Sequence, residues 1–223
     1  MKKARRFLAL ICSMALVLTL VPGKVQAHEG KQELDVNFAA FRFAVEDYNP
    51  DNVSVEYSRD GLTEISIIRD IKSGEILETI TVAPDKSSSQ IKVLSRNTYP
   101  YVMTRSSTHA GVEVVLTISV ELYSNGSFRQ VNGINYTNLK IETAMSGIVL
   151  ENPAHAAWGK NYQYPATEVL YSYDGTLCAK VDTSSGLNIN VDFLGLGFSF
   201  GGQVGTTTYY RLSFVRDGTI YMY

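Results

Sequence analysis

Apolar residues recur at every second position along most of this chain, which is the period of a β-strand with one buried face. Val53, Val55 and Tyr57 alternate up to a turn at Asp60 and Gly61; Ile65, Ile67 and Ile71 follow, then Ser73 and Gly74, then Ile76, Ile80 and Val82. That order predicts a three-stranded meander, with the charged residues of its other face in solvent. Val112, Val114, Leu116, Ile118, Val120 and Leu122 form the strongest strand pattern, and Ser124-Asn125-Gly126 behind it is a hairpin signal. Asn132 and Gly133 predict another turn, and Leu139, Ile141 and Thr143 a strand. Val169, Tyr171 and Tyr173 run into Asp174 and Gly175, with Leu177, Ala179 and Val181 on the way back, and Arg216-Asp217-Gly218 repeats the turn chemistry. The polar segment before Val112 reads as loop, and 151–165 reads as irregular.

The longest alternating stretch is 187–208, LNINVDFLGLGFSFGGQVGTTT. Leu187, Ile189, Val191 and Phe193 share a face; the phase then slips by one, as a bulge would cause, and Leu194, Leu196, Phe198 and Phe200 carry the apolar side. Gly195, Gly197 and Ser199 lie opposite, Gly201 and Gly202 suit a two-residue loop, and 204–214 alternates back. Two readings compete. The preferred one is a central hairpin of a β-sandwich, with glycines where rings or backbone approach closely. The other is a membrane hairpin presenting Leu194, Leu196, Phe198 and Phe200 to lipid, since a spanning strand needs about 9–11 residues. A lone hairpin leaves unpaired edges in lipid, so this reading requires an oligomeric barrel. Oligomerisation is left open.

One segment departs from the strand period: Leu34, Phe38, Phe41 and Val45 fall at helical spacing, with Asn49 and Pro50 as a stop. Its polar face is not basic, so a helix docked on a sheet is preferred to a membrane-surface anchor. The fold class is therefore mainly β, an antiparallel sandwich or meander with hairpins and one short N-terminal helix. Fourteen tyrosines, most of them in strand patterns, agree with it.

Charge is divided unevenly along the chain. Lys2, Lys3, Arg5 and Arg6 precede an apolar run from Phe7 to Val21, helix-breaking Pro22 and Gly23, and Val25-Gln26-Ala27. This is the form of a secretory signal peptide over 1–27, leaving 28–223 as the exported protein. With Lys24 the leader holds five of the twenty Lys and Arg and no acid, so 28–223 carries fifteen bases against twenty-two acids, about −7. No basic cluster exists, which argues against nucleic acid as a partner. Only Cys178 remains after cleavage, so no internal disulfide forms and packing must stabilise the fold. Ala83 to Gln90, APDKSSSQ, is the clearest linker composition, and it allows a division of the β-region near 84–98.

Candidate chemistry is sparse. His28, His109 and His155 show no metal-ligand spacing, and neither a nucleophile elbow nor a phosphate-binding glycine loop occurs, so no metal and no cofactor is expected. Ser89-Gln90-Ile91-Lys92 matches a Ser-x-x-Lys box but sits in the Ser-rich linker without companion motifs. Trp158, Tyr162 and Tyr164 sit together in Ala156-Ala157-Trp158-Gly159-Lys160-Asn161-Tyr162-Gln163-Tyr164. These rings could form a platform for sugar rings on cell-wall glycan, but Trp158 plugging one end of the core is preferred.

Cys178 after Thr176 and Leu177, with His109 upstream and Arg211 downstream, resembles the order of sortases. There a Cys thiolate attacks a peptide, a His moves protons and an Arg holds the oxyanion; the second Thr before the Cys is missing here, and Arg211 lies further on. A signal peptide, a cysteine-poor exported chain and FLGLGFSFGGQVGTTTYY near the C-terminus together resemble the large secreted antibacterial proteins of Gram-positive bacilli typified by geobacillin. That resemblance implies a secreted, non-enzymatic bacteriocin whose partner is the membrane or cell envelope of target bacteria.

Overall fold

A computed structural model describes residues 33–85, 97–142, 147–182, 184 and 193–223. Residues 32–223 form one compact unit. Its twelve described strands make two antiparallel sheets. The first has the order β1 (Leu34–Asn37), β2 (Phe41–Val45), β12 (Thr207–Met222), β10 (Glu168–Asp182), β9 (Ile148–Gly159), with β11 (Ser199–Val204) also paired to β12. The second is a meander of β3 (Val53–Asp60), β4 (Thr63–Asp70), β5 (Ile76–Pro84), β6 (Thr98–His109), β7 (Val112–Asn125) and β8 (Phe128–Glu142). The core lies between them: Ile68, Ile80, Met103, Leu116 and Ile118 from the meander meet Phe41, Phe43, Val169, Tyr171 and Leu177 from the first sheet. The chain is an antiparallel β-sandwich, and the sheets do not close into a barrel.

Segment 34–46 is not a helix. It forms the hairpin β1–β2, with Leu34 opposite Val45 and Val36 opposite Phe43. Leu34, Val36 and Phe38 also alternate, as do Phe41, Phe43 and Val45, so the same residues satisfy a period of two; burial of Val36, Phe41, Phe43 and Val45 decides in its favour.

The loop expected before Val112 is strand β6. Its inward residues are Met103, Arg105 and Ser107, all buried, so the apolar alternation that marks a strand is absent although the pleat is regular. Charges of the meander do not all face solvent. Glu64 and Ser66 share the inward face of β4 with Ile68, and Glu78 lies on that of β5. Glu64 accepts from the Ala39 backbone N–H at 2.7 Å and the Tyr57 hydroxyl at 2.9 Å, which joins the β1–β2 turn to the meander.

Arg105, 1% exposed, is the centre of a buried network between the sheets. Its guanidinium donates to both Glu78 oxygens, to the Tyr171 hydroxyl of the opposite sheet and, at 3.3 Å, to Asp47. Asp47 also accepts from Arg216 at 3.1 Å, and the Tyr48 hydroxyl donates to Glu78 at 3.1 Å. Burial works against the Arg105 charge, but Glu78 holds its pKa well above the usual arginine value. Removing one partner of such a pair costs about 3–5 kcal/mol, so the network fixes how the sheets face each other.

Two of the expected Asp-Gly turns are strand interiors. β10 and β12 run straight through Asp174-Gly175 and Asp217-Gly218, and each glycine faces an aromatic residue: Gly218 is opposite Tyr171, and Gly175 is opposite Phe214. A Cβ on Gly218 would lie 2.3 Å from the Tyr171 hydroxyl oxygen; on Gly175 it would lie 2.8 Å from Leu150 and 3.1 Å from the Phe214 ring. Close ring approach, not a turn, demands glycine there. Gly61 and Gly126, by contrast, have φ of +60° and +62° in open space, as true turn residues do. Asn132 and Gly133 lie within β8, where the register against β7 shifts between Glu121 and Leu122. The 84–98 linker joins β5 and β6, which pair from Glu78–Ser107 to Pro84–Tyr101.

Candidate binding groove

The segment 151–165, expected to be irregular, continues β9 as far as Gly159 and then makes a short 3-10 turn at Lys160–Tyr162. Register carries Trp158 across the first sheet: it is opposite Leu170 of β10, Leu170 is opposite Thr219 of β12, and Thr219 is opposite Ala44 of β2. The next row joins Ala156, Ser172 and Asp217, with Glu46 just past the end of β2. Residues 169, 171, 173 and 175 of β10 point into the core, so these rows lie on the outer face of the sandwich. Trp158 is consequently half-buried at the surface and does not plug the core, contrary to the expectation. A pocket of about 350 Å³ opens beside it, lined by Trp158, Leu170, Ser172 and Thr219 with Glu46 and Asp217.

The loop after β9 supplies one wall. Tyr162 stacks on Trp158 with ring centroids 5.9 Å apart and planes at 12°, yet 80% of it is exposed. Asn161 and Tyr162 both take positive φ, +57° and +58°. For a tyrosine this is strained backbone, at about 1–3 kcal/mol per residue. Lys160 holds the loop to Glu168 at 2.8 Å, and the Tyr164 hydroxyl accepts from the Gly159 backbone N–H at 3.0 Å. Tyr164 is thus a brace, while Trp158 and Tyr162 are the presented rings. Gly159 admits no side chain, because a Cβ would lie 2.3 Å from the Gln163 carbonyl oxygen.

Electrostatically the groove is acidic. Nearby cations are engaged elsewhere: Lys160 with Glu168, Arg42 with Asp35 at 2.6 Å, and Arg216 with Asp47. Glu46 and Asp217 form no ion pair among the described residues. Sequence reading finds the rings but not these carboxylates, which lie in distant segments and arrive through strand register.

The candidate membrane residues are arranged differently from the expectation. Residues 185–192 lie outside the described residues, 193–197 form a turn, and the two-residue loop falls at Gly205 and Thr206, with Val204 opposite Thr207. Gly201 and Gly202 lie within β11 at a register shift. β11 has six residues, shorter than a membrane-spanning strand, and the four candidates do not share a face. Phe198 is buried at 3% exposure and meets Phe193 edge-on at 5.4 Å, whereas Leu194 (60%), Leu196 and Phe200 (63%) are exposed. With Val204 they make an exposed apolar flap at one end of the sandwich. No helix among the described residues is long and apolar enough to cross a membrane.

Cys178 and His109 do not meet. His109 stacks on Phe214 at 5.1 Å, on the core side of the first sheet, whereas Cys178 pairs in register with Arg211 on the outer face. Burial, followed by repulsion from Arg216, pushes the imidazole pKa down to about 4. Cys178 is buried, and its thiol pKa is raised by that burial and by its hydrogen bond to Glu151. Arg211 is bound to Glu151 at 3.0 Å and to the Gly201 carbonyl at 3.0 Å. A buried thiol kept protonated beside the Glu151 carboxylate, with His109 on the other side of the sheet, is the opposite of an activated nucleophile. The Ser89–Lys92 box and the expected leader lie outside the described residues.

Fold and groove together define an antiparallel β-sandwich with an aromatic and acidic groove on its outer face. No family model, curated protein or solved structure matches the chain.

Proposed function

We propose that the protein is exported and works at the bacterial envelope as a non-enzymatic binding protein, with the Trp158 groove as its recognition site for glycan. The parallel Trp158–Tyr162 pair beside a pocket that also offers carboxylates and hydroxyls carries this reading. Sugar rings present apolar C–H faces that stack on such rings, and their hydroxyls bind carboxylates and Ser or Thr side chains. Holding Tyr162 in a strained backbone while leaving it exposed has a purpose if a ligand completes the stack. Purified peptidoglycan sacculi should sediment with the exported protein and not with Trp158→Ala. Equal retention of a folded Trp158→Ala protein would refute the groove as the site.

A second reading follows from the flap. Leu194, Leu196, Phe200 and Val204 are large apolar side chains exposed in one region, which marks a contact surface for a membrane or a protein. Together with the resemblance to geobacillin-type proteins, it supports an antibacterial role in which the groove retains the protein on a target cell and the flap meets its membrane. Growth clearing on lawns of related bacilli, lost in Leu196→Asp with the sheet signal in circular dichroism unchanged, is the expected result. Killing by that folded variant would remove the flap from the mechanism.

A further inference from the structure

We infer that the groove selects an amino sugar whose nitrogen is a free ammonium, a de-N-acetylated glucosamine unit, over its neutral N-acetylated form. This rests on the reading of the groove as a glycan site and adds the charge of the sugar it takes.

Glu46 enters from the end of β2 and Asp217 from β12, beside the Ser172 and Thr219 hydroxyls and the Trp158 ring. Cations that could neutralise them are paired with Asp35, Glu168 and Asp47. Glu46 and Asp217 are exposed at the rim of the groove, so a neutral sugar seated there would strip part of their water and return only hydroxyl hydrogen bonds. An ammonium forms charge-assisted bonds to the same oxygens, and the face of Trp158 attracts a cation further. Anionic envelope polymers, such as those built on phosphate, meet repulsion from the same two groups. A hydroxylated ring bearing one positive charge fits all parts of the lining at once: rings for its apolar face, hydroxyls for its hydroxyls, carboxylates for its nitrogen.

The test is a binding titration of the exported protein with three probes: a glucosamine oligomer, the matching N-acetylglucosamine oligomer and a lysine oligopeptide. The expected result is saturable binding of the glucosamine oligomer, about tenfold or more tighter than the other two. Glu46→Gln with Asp217→Asn should erase the preference between the sugars, and unchanged thermal unfolding of that variant shows the fold intact. Equal affinity for both sugars, unaffected by the double substitution, would overturn the charge selection and leave the glycan site standing. Lysine peptide bound as tightly as glucosamine oligomer would overturn it in favour of a basic peptide. Binding of neither sugar, by protein still retained on sacculi through Trp158, would overturn it while leaving the envelope reading intact.

Discussion

Replacing Arg105 by Met removes the one cation at the centre of the inter-sheet network while keeping most of the side-chain volume. Glu78, itself fully buried, would keep only the Tyr48 hydroxyl, and the Tyr171 hydroxyl would lose its donor. An uncompensated buried carboxylate costs about 3–5 kcal/mol, a large share of the ~5–15 kcal/mol that holds a domain folded. At about 2–4 °C per kcal/mol for a domain of this size, the thermal midpoint should fall by roughly 6–20 °C. Replacing Glu78 by Met as well removes the stranded charge and should return part of that loss, giving a favourable coupling energy of about 1–3 kcal/mol in a double-mutant cycle. Urea unfolding of wild type, both single variants and the double variant measures this directly. If Arg105→Met cost less than about 1 kcal/mol, or the double variant lost the sum of the singles, the network would not be what locks the sheets together.

Three further outcomes follow from the same geometry. His109 is held down to about 4 in the folded protein against 6.5 ordinarily, so its contribution is complete above pH 6.5 and is lost as pH falls towards 4. Since His109 is only partly buried, solvent screening reduces the loss to ~1–2 kcal/mol; His109→Phe should flatten stability between pH 6.5 and 4.5, and an unchanged slope there would contradict the assignment. Gly218→Ala places a methyl 2.3 Å from the Tyr171 oxygen and 3.0 Å from the Ala44 carbonyl, and should cost about 2–3 kcal/mol or more, whereas Gly61→Ala, in open space, should cost about 1 kcal/mol; urea midpoints in the reverse order would refute the strand-interior placement. Cys178 should resist a disulfide reagent in the native protein and react fully in denaturant, and rapid native labelling would contradict its burial.

Alternation made β3, β5, β7 and the core face of β10 legible, with Val53, Ile80, Val114 or Leu177 where the pleat turns inward; in β4 it marked the wrong face, since Ile65 and Ile67 pair with Ser58 and Glu56 on the outer side while Glu64, Ser66 and Ile68 face the core. β6 and the charged positions of β4 and β5 were not legible: Arg105, Glu64 and Glu78 read as solvent residues, and only pairing across elements far apart in sequence makes them core. Segment 34–46 supports both a period of two and a helical spacing, and the choice falls to the sheet that needs a hairpin at its edge. Asp174-Gly175 and Asp217-Gly218 carry turn chemistry identical to Asp60-Gly61, and what separates them is a ring across the strand that no local pattern announces. The rings of the groove were visible as a cluster. Its carboxylates were not, since Glu46 and Asp217 become neighbours of Trp158 only through the β9–β10–β12–β2 register.

Trp158 is the single tryptophan of the chain, so its emission reports on the groove and on nothing else. Titrating the exported protein with soluble peptidoglycan fragments while recording that emission tests the central assignment most directly. The account predicts a saturable blue shift as sugar displaces water from the indole face, absent when Tyr162 is replaced by Ala and the stacked wall is lost. A spectrum that stays constant while the protein is retained on sacculi would contradict it, because the protein would then be holding the envelope with another surface.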